Sequence, residues 1–191
     1  MMGILEKTMS NMKLSKFELN IECKKIIEAL NTKQASSRFV GGFVRNYINN
    51  TNTKDIDIAT QLSPDEVIDI LSKVKIRVIP TGIKHGTVSA FINDQSFEIT
   101  TLRKEVRHDG RHSEVIFIDD WYEDASRRDF TINSIYINQN GEIYDPFNGI
   151  EHLNDKRIIF IGEPEKRINE DYLRILTVSY THLRAHETTC D

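Results

Sequence analysis

The run Asp55-Ile56-Asp57-Ile58-Ala59 restricts the fold more than any other part of the chain. Acid and isoleucine alternate with a period of two, the spacing at which strand side chains leave on opposite faces. The isoleucines need a core, whereas buried carboxylates would need partners. The run therefore predicts a strand with one buried face, with Asp55 and Asp57 side by side on the other.

The flanking signals alternate between helix and strand. Ser63-Pro64-Asp65-Glu66 reads as a helix start, with Ser63 as N-cap, Pro64 at the first helical position and Glu66 completing a capping box. Val67, Ile70, Leu71 and Val74 supply its apolar face. Helical spacing also predicts helices over residues 15–30, 43–48, 120–128 and 165–176, the last opened by Pro164. Short strands are expected at 38–40, 76–79 and 158–161. Hairpins are expected around Asn93-Asp94, joining 87–92 to 95–101, and around Gln139-Asn140-Gly141. Residues 103–113 are charged, contain Gly110 and lack periodicity, so a loop is expected there. Recurrent hairpins favour an α+β fold with a mixed or antiparallel sheet over a doubly wound one.

Composition narrows the class. With 191 residues, 39% hydrophobic and 28% charged, the chain matches one ordinary globular domain, or one domain and part of a second. No apolar run approaches the roughly 20 residues of a membrane helix, and the mixed polarity of residues 1–16 disfavours a secretory leader. Cys23 and Cys190 are too few for a zinc site or a disulfide framework, so a cytoplasmic location is expected. The net charge of -4 lacks the basic balance of a stand-alone nucleic-acid binder, although it leaves room for a local basic site.

Several clusters carry possible chemistry. Asp55 and Asp57 offer hard oxygen ligands on one face, suited to Mg²⁺. Two such ions about 3.5–4 Å apart can clamp the attacking and leaving oxygens of phosphoryl transfer. A solvated strand edge carries the same pattern, so the pair gains meaning only from its neighbours. Gly41-Gly42 sits at a strand-to-helix turn, where backbone can approach a phosphate, and Arg45 lies one helical turn on. The spacing is neither GxGxxG nor a P-loop, and an ordinary tight turn reads the same way. Glu98, on an amphipathic strand, offers a third carboxylate. Arg128 and Asp129 offer a guanidinium for phosphate and an acceptor for a ribose hydroxyl, or else a solvated helix end. Glu170, Asp171 and Arg174 share a helical face, as an ion pair or as edges that hydrogen-bond a base.

The order of the blocks is more specific than any one of them. GGFVRN, KDIDIAT, GIKHGTV, FEITTLRKE, HDGRH, SRRDFTINSI, YDPFNGIEHL and RINEDYLRIL follow one another from Arg38 to Leu176. This series resembles the class II tRNA nucleotidyltransferases, or CCA-adding enzymes, whose head the bacterial poly(A) polymerases share. The resemblance implies a nucleotidyltransferase head with a mixed, largely antiparallel sheet flanked by helices, followed by the start of a helical neck. It implies template-independent addition of C, C and A to a tRNA 3′ end from CTP and ATP, with Mg²⁺, two ions being expected. A poly(A) polymerase head, or a fragment that binds nucleotide without extending RNA, is the alternative. Asp55 and Asp57 match the metal carboxylates and Glu98 a third carboxylate position. Gly41 and Gly42 fall in the triphosphate-contact block with Arg45, and Arg128 and Asp129 in the ribose and phosphate block. Glu170, Asp171 and Arg174 match the set that selects the incoming base. Residues 103–113 match the flexible loop of the switch to A addition.

The expected organisation is an N-terminal helix and loop (1–37), the head (38–150), the start of a neck (151–176) and a tail (177–191) unlike the family.

Overall fold

The computed structural model describes residues 12–14, 16–31, 36–51, 53–109 and 112–170. Seven strands form one sheet: β1 (Ser37–Phe39), β2 (Asp55–Thr60), β3 (Arg77–Gly82), β4 (Thr87–Ile92), β5 (Gln95–Thr101), β8 (Tyr136–Ile137) and β9 (Ile143–Tyr144). Their order is β3-β4-β5-β2-β1-β8-β9. Among the described residues only β2 and β5 run parallel; every other pairing is antiparallel. The α+β expectation holds: hairpins build the two flanks, and crossovers set β2 beside β5 and β8 beside β1.

One face of the sheet is fully packed. Ile56 and Ile58 of β2, Val88 and Ala90 of β4, and Phe97 and Ile99 of β5 meet α1 (Ile21–Leu30), α2 (Gly41–Ile48) and α3 (Pro64–Lys73) in the main core. The Ser63 capping box is present, with Pro64 opening α3. Helix α1 is shorter than its apolar spacing suggested. Asn20 caps it by accepting a hydrogen bond from the Cys23 N–H at 2.8 Å. Ahead of it, the Leu14 N–H donates to the Gly141 carbonyl at 3.0 Å.

The opposite face is only half covered. Val40, Ala59, Leu102, Ala125 and Tyr136 form a second cluster beneath α4 (Trp121–Ser126), while Asp55 and Glu98 lie exposed beyond its edge. Burial along β2 records the transition: Ile56 alternates with half-buried Asp57, but Ala59 and Thr60 are buried in succession.

Two segments differ from the sequence reading. Residues 103–109 and 112–117 are β6 (Arg103–Asp109) and β7 (His112–Phe117), an antiparallel hairpin that pairs Asp109 with His112. A free-standing ribbon has no fixed core face, so it lacks the alternation by which strands are recognised. The hydrophobic run 158–161 makes only one bridge, Phe130 to Phe160. Phe160 packs its ring 4.7 Å from that of Phe130, so packing rather than a ladder accounts for the apolar residues.

Helices α5 (Gly149–Asn154) and α6 (Pro164–Glu170) follow the sheet. Gly149 lies against the 3-10 turn Thr131–Asn133, where an added Cβ would collide with the Thr131 carbonyl oxygen. Gly149→Ala is therefore expected to cost about 2–3 kcal/mol, the scale of overpacking a rigid contact. Chemical denaturation measures it, and an unchanged midpoint would contradict the close approach.

Candidate active site

The half-covered face gathers most of the residues singled out by sequence. Parallel pairing sets Asp57 beside Glu98 and Asp55 beside Ser96. Residues in register across adjacent strands share a face, so all three carboxylates lie on the open side. Ser96 Oγ donates to Asp55 Oδ1 at 3.4 Å.

The turn into α2 closes one side of Asp57. Val40 donates its N–H to the Asp57 carbonyl at 3.0 Å, and the Gly42 backbone favours the charged form of the Asp57 carboxylate. Gly41 has a φ of +66°, and a Cβ there would lie 3.0 Å from Asp57 Oδ2. Both the backbone angle and the carboxylate thus favour glycine. Burial, then the Glu98 charge, pushes the Asp57 carboxyl up to about 6 from its ordinary 3.8, with Asp55 adding to the rise. Arg128 and the Gly42 backbone oppose the rise but do not cancel it.

Two hydrogen-bonded groups flank this centre. In the first, Arg45 Nη1 donates to Asn133 Oδ1 at 2.6 Å, and Asn133 Nδ2 donates to Asp129 Oδ1 at 3.1 Å. Asp129 Oδ1 also accepts the Phe130 N–H at 2.7 Å. Asn133 therefore joins two candidate residues that lie 84 positions apart in sequence.

The second group is built on Asp124, which is 1% exposed. Its Oδ1 accepts Arg127 Nε at 2.8 Å and the Arg103 N–H at 3.3 Å. Its Oδ2 accepts the Tyr136 hydroxyl at 2.8 Å and Arg128 Nη2 at 3.2 Å. Arg128 Nε donates to the Tyr136 hydroxyl at 3.0 Å. Burial alone would raise the Asp124 carboxyl, but Arg128 and Arg127 outweigh it and hold the group below its ordinary value. Burial raises the Tyr136 phenol, which stays protonated and able to donate.

Asp124, Tyr136 and Asn133 were not singled out from sequence. The spacing of Asp124 to Arg127 and Arg128 was visible, but it reads as a surface helical pair. The contact with Tyr136 comes from tertiary folding. Glu170 ends α6, while its side chain, Asp171 and Arg174 lie outside the described residues, as does the tail 177–191. Among the described residues no three His, Cys, Asp or Glu side chains stand close enough to hold a metal ion as a group. The oxygen donors brought together are thus best taken as the Asp55–Asp57 pair. No described helix is long and apolar enough to cross a membrane.

A cavity of about 510 Å³ opens elsewhere, at Asn20, Cys23, Phe43, Tyr47, Lys54 and Ile56. It holds none of the candidate residues, and burial pushes its Cys23 thiol up to about 12, which leaves the sulfur unreactive.

Comparison with known proteins identifies the family. The model of the poly A polymerase head domain matches residues 37–159. The human protein named CCA tRNA nucleotidyltransferase 1, mitochondrial, is 44% identical over 154 residues, covering 80% of this chain and 36% of the relative. The crystal structure of the Bacillus stearothermophilus CCA-adding enzyme in complex with CTP superposes with a TM-score of 0.71 at 37% identity, over 81% of this chain and 36% of that one. A tRNA nucleotidyltransferase complexed with a primer tRNA and an incoming ATP analog superposes with a TM-score of 0.63 at 26% identity, over 80% of this chain and 42% of that one. The chain thus spans well under half the length of these relatives.

Proposed function

Because the chain belongs to the poly A polymerase head-domain family, within which its relatives are CCA-adding enzymes, we propose that it is the head of a template-independent RNA nucleotidyltransferase. It would add C, C and A to the 3′ end of tRNA from CTP and ATP. The observation that carries the reading is the open acidic face of β2, with the Gly41-Gly42 turn on Asp57 and two arginine-bearing groups beside it.

Asp55 and Asp57 fit a divalent cation. They offer oxygen donors on one face, and the Asp57 carboxyl is raised by burial and by neighbouring acids, which marks a shortage of positive charge. These two residues would hold Mg²⁺, two ions being the expected number. When bound, the metal would neutralise triphosphate charge and lower the pKa of the attacking 3′-hydroxyl.

The remaining work falls to the chain's own groups. Gly41 and Gly42 let backbone approach the triphosphate at the start of α2. Arg45, steadied by Asn133, and Arg128, steadied by Asp124, supply charge to its oxygens. Asp129 presents its carboxylate to the ribose. Glu98 shapes the field at Asp57. Glu170, Asp171 and Arg174 are the proposed base-selecting set. Catalysis would rest on positioning and charge neutralisation. A cytoplasmic site of action belongs to the same proposal, and fractionation would test it against the mitochondrial location in the human relative's name.

The test is extension of a tRNA lacking its CCA end, with labelled CTP and ATP and Mg²⁺, beside an Asp55→Ala/Asp57→Ala control. CTP followed by ATP incorporation, lost in the control, is expected. Incorporation of ATP alone would make the chain a poly(A) polymerase head. Nucleotide binding without extension would make it a non-catalytic fragment.

A further inference from the structure

Resting on the nucleotidyltransferase reading, we propose that Tyr136 and Asp124 are positioning residues that hold the Arg128 guanidinium ready for the triphosphate before nucleotide arrives. Three groups close a ring. Arg128 Nε donates to the Tyr136 hydroxyl, that hydroxyl donates to Asp124 Oδ2, and Arg128 Nη2 donates to the same oxygen. Two separate acceptors on Nε and Nη2 fix the plane of a guanidinium, which a single contact does not.

The ring is itself anchored. Tyr136 lies in β8 with no exposed surface, and its aromatic ring sits 5.4 Å from that of Trp121 and 5.9 Å from that of Tyr144. Asp124 is held on its other oxygen by Arg127 and by the backbone of Arg103, at the start of β6. Arg128 can therefore change rotamer only by breaking bonds to groups that cannot follow it.

The held charge belongs to the same sheet face as the acidic pair: Tyr136 packs with Ala59, and Ala59 shares its side of β2 with Asp57. An exposed arginine loses rotamer entropy when it is fixed on a ligand. Here that ordering accompanies folding, and less of it remains for nucleotide binding.

The test is a double-mutant cycle read by CTP binding calorimetry with Mg²⁺, using Tyr136→Phe and Arg128→Lys. Tyr136→Phe keeps the buried ring and removes only the hydroxyl. It is expected to weaken CTP about tenfold while the protein stays folded by circular dichroism. Arg128→Lys keeps the charge but loses the fork. The double variant is expected to bind within about twofold of Arg128→Lys alone, because the hydroxyl acts through the guanidinium. Unchanged affinity in Tyr136→Phe, or losses that multiply in the double variant, would overturn the proposal.

A second readout separates this inference from the functional reading. In the nucleotide-free protein the Arg128 Nε–H is expected to give a sharp, slowly exchanging NMR signal that Tyr136→Phe broadens or abolishes. If the parent protein binds no CTP, the nucleotidyltransferase reading fails. The NMR signal then decides positioning alone: loss of protection in Tyr136→Phe upholds it, and unchanged protection overturns it.

Discussion

Asp57→Asn is expected to abolish nucleotide transfer and, in the absence of divalent cations, to make the protein more stable at pH 8. The activity loss follows from removing one of two carboxylates on which charge neutralisation depends. Several kcal/mol of transition-state stabilisation is at stake, or about 10³-fold or more in rate. The stability gain follows from the same charge. Asp57 binds its proton more tightly in the folded state, up to about 6 against 3.8. Between these values the native protein holds more protons than the unfolded chain, so this group's contribution to stability falls as pH rises.

Below about pH 4 the carboxyl is protonated in both states and costs nothing by this route. Above about pH 6 the cost is fully present. Converted at 1.36 kcal/mol per pH unit and reduced for the partial exposure of Asp57, it is about 2 kcal/mol. For a chain of this size that is a rise of about 4–8 °C in melting temperature. Melts of both proteins at pH 4.5, 6 and 8 in EDTA measure it. The gap should open across that range, and Mg²⁺ at pH 8 should narrow it by stabilising only the parent. A gap independent of pH would mean that burial and Glu98 do not act on Asp57 as described.

Asp124→Ala is expected to cost about 3–5 kcal/mol, the largest stability loss of any single change described. Removing one member of a buried ionic group strands the charges it balanced. Here the stranded groups are Arg127, Arg128 and the Tyr136 hydroxyl, all within 3.2 Å of Asp124. The cavity left behind is secondary to the lost acceptors. Urea denaturation at neutral pH measures the effect. A loss below about 1 kcal/mol would show that water or other groups already satisfy the two arginines.

These two aspartates differ in how visible they were. Asp57 sits in an alternating strand, where a two-residue period states which side each group faces. Its neighbours were legible for the same local reason: Ser63 caps α3, and the hairpin around Asn93-Asp94 forms with Phe97 and Ile99 inward. Asp124 looked like one of the early acids of a helix that ends in arginines. What makes it central is Tyr136, twelve residues on and in another element. No local period reports a contact of that kind.

The β6–β7 hairpin was missed for a different reason. Its Asp109-Gly110 step is a recognised hairpin signal. It was masked by flanking charges that a one-sided strand would not tolerate on its core face. Helix α1 was drawn too long because apolar spacing continues past the point where Asn20 turns its side chain back to cap the first turn. For α1 the pattern of hydrophobic residues was read correctly but a polar residue set the boundary.

The parallel pairing of β2 with β5 also governs how the chain is made. β1, the native partner of one edge of β2, precedes it in the chain, whereas the partner of its other edge, β5, begins only at Gln95. Over that interval of synthesis β2 presents an unpaired edge, the kind on which two nascent chains can join. Asp55 and Asp57 lie on that strand. Like charges set against each other across a mistaken pairing repel, so the acids proposed here to serve chemistry in the finished protein would first protect it from aggregation.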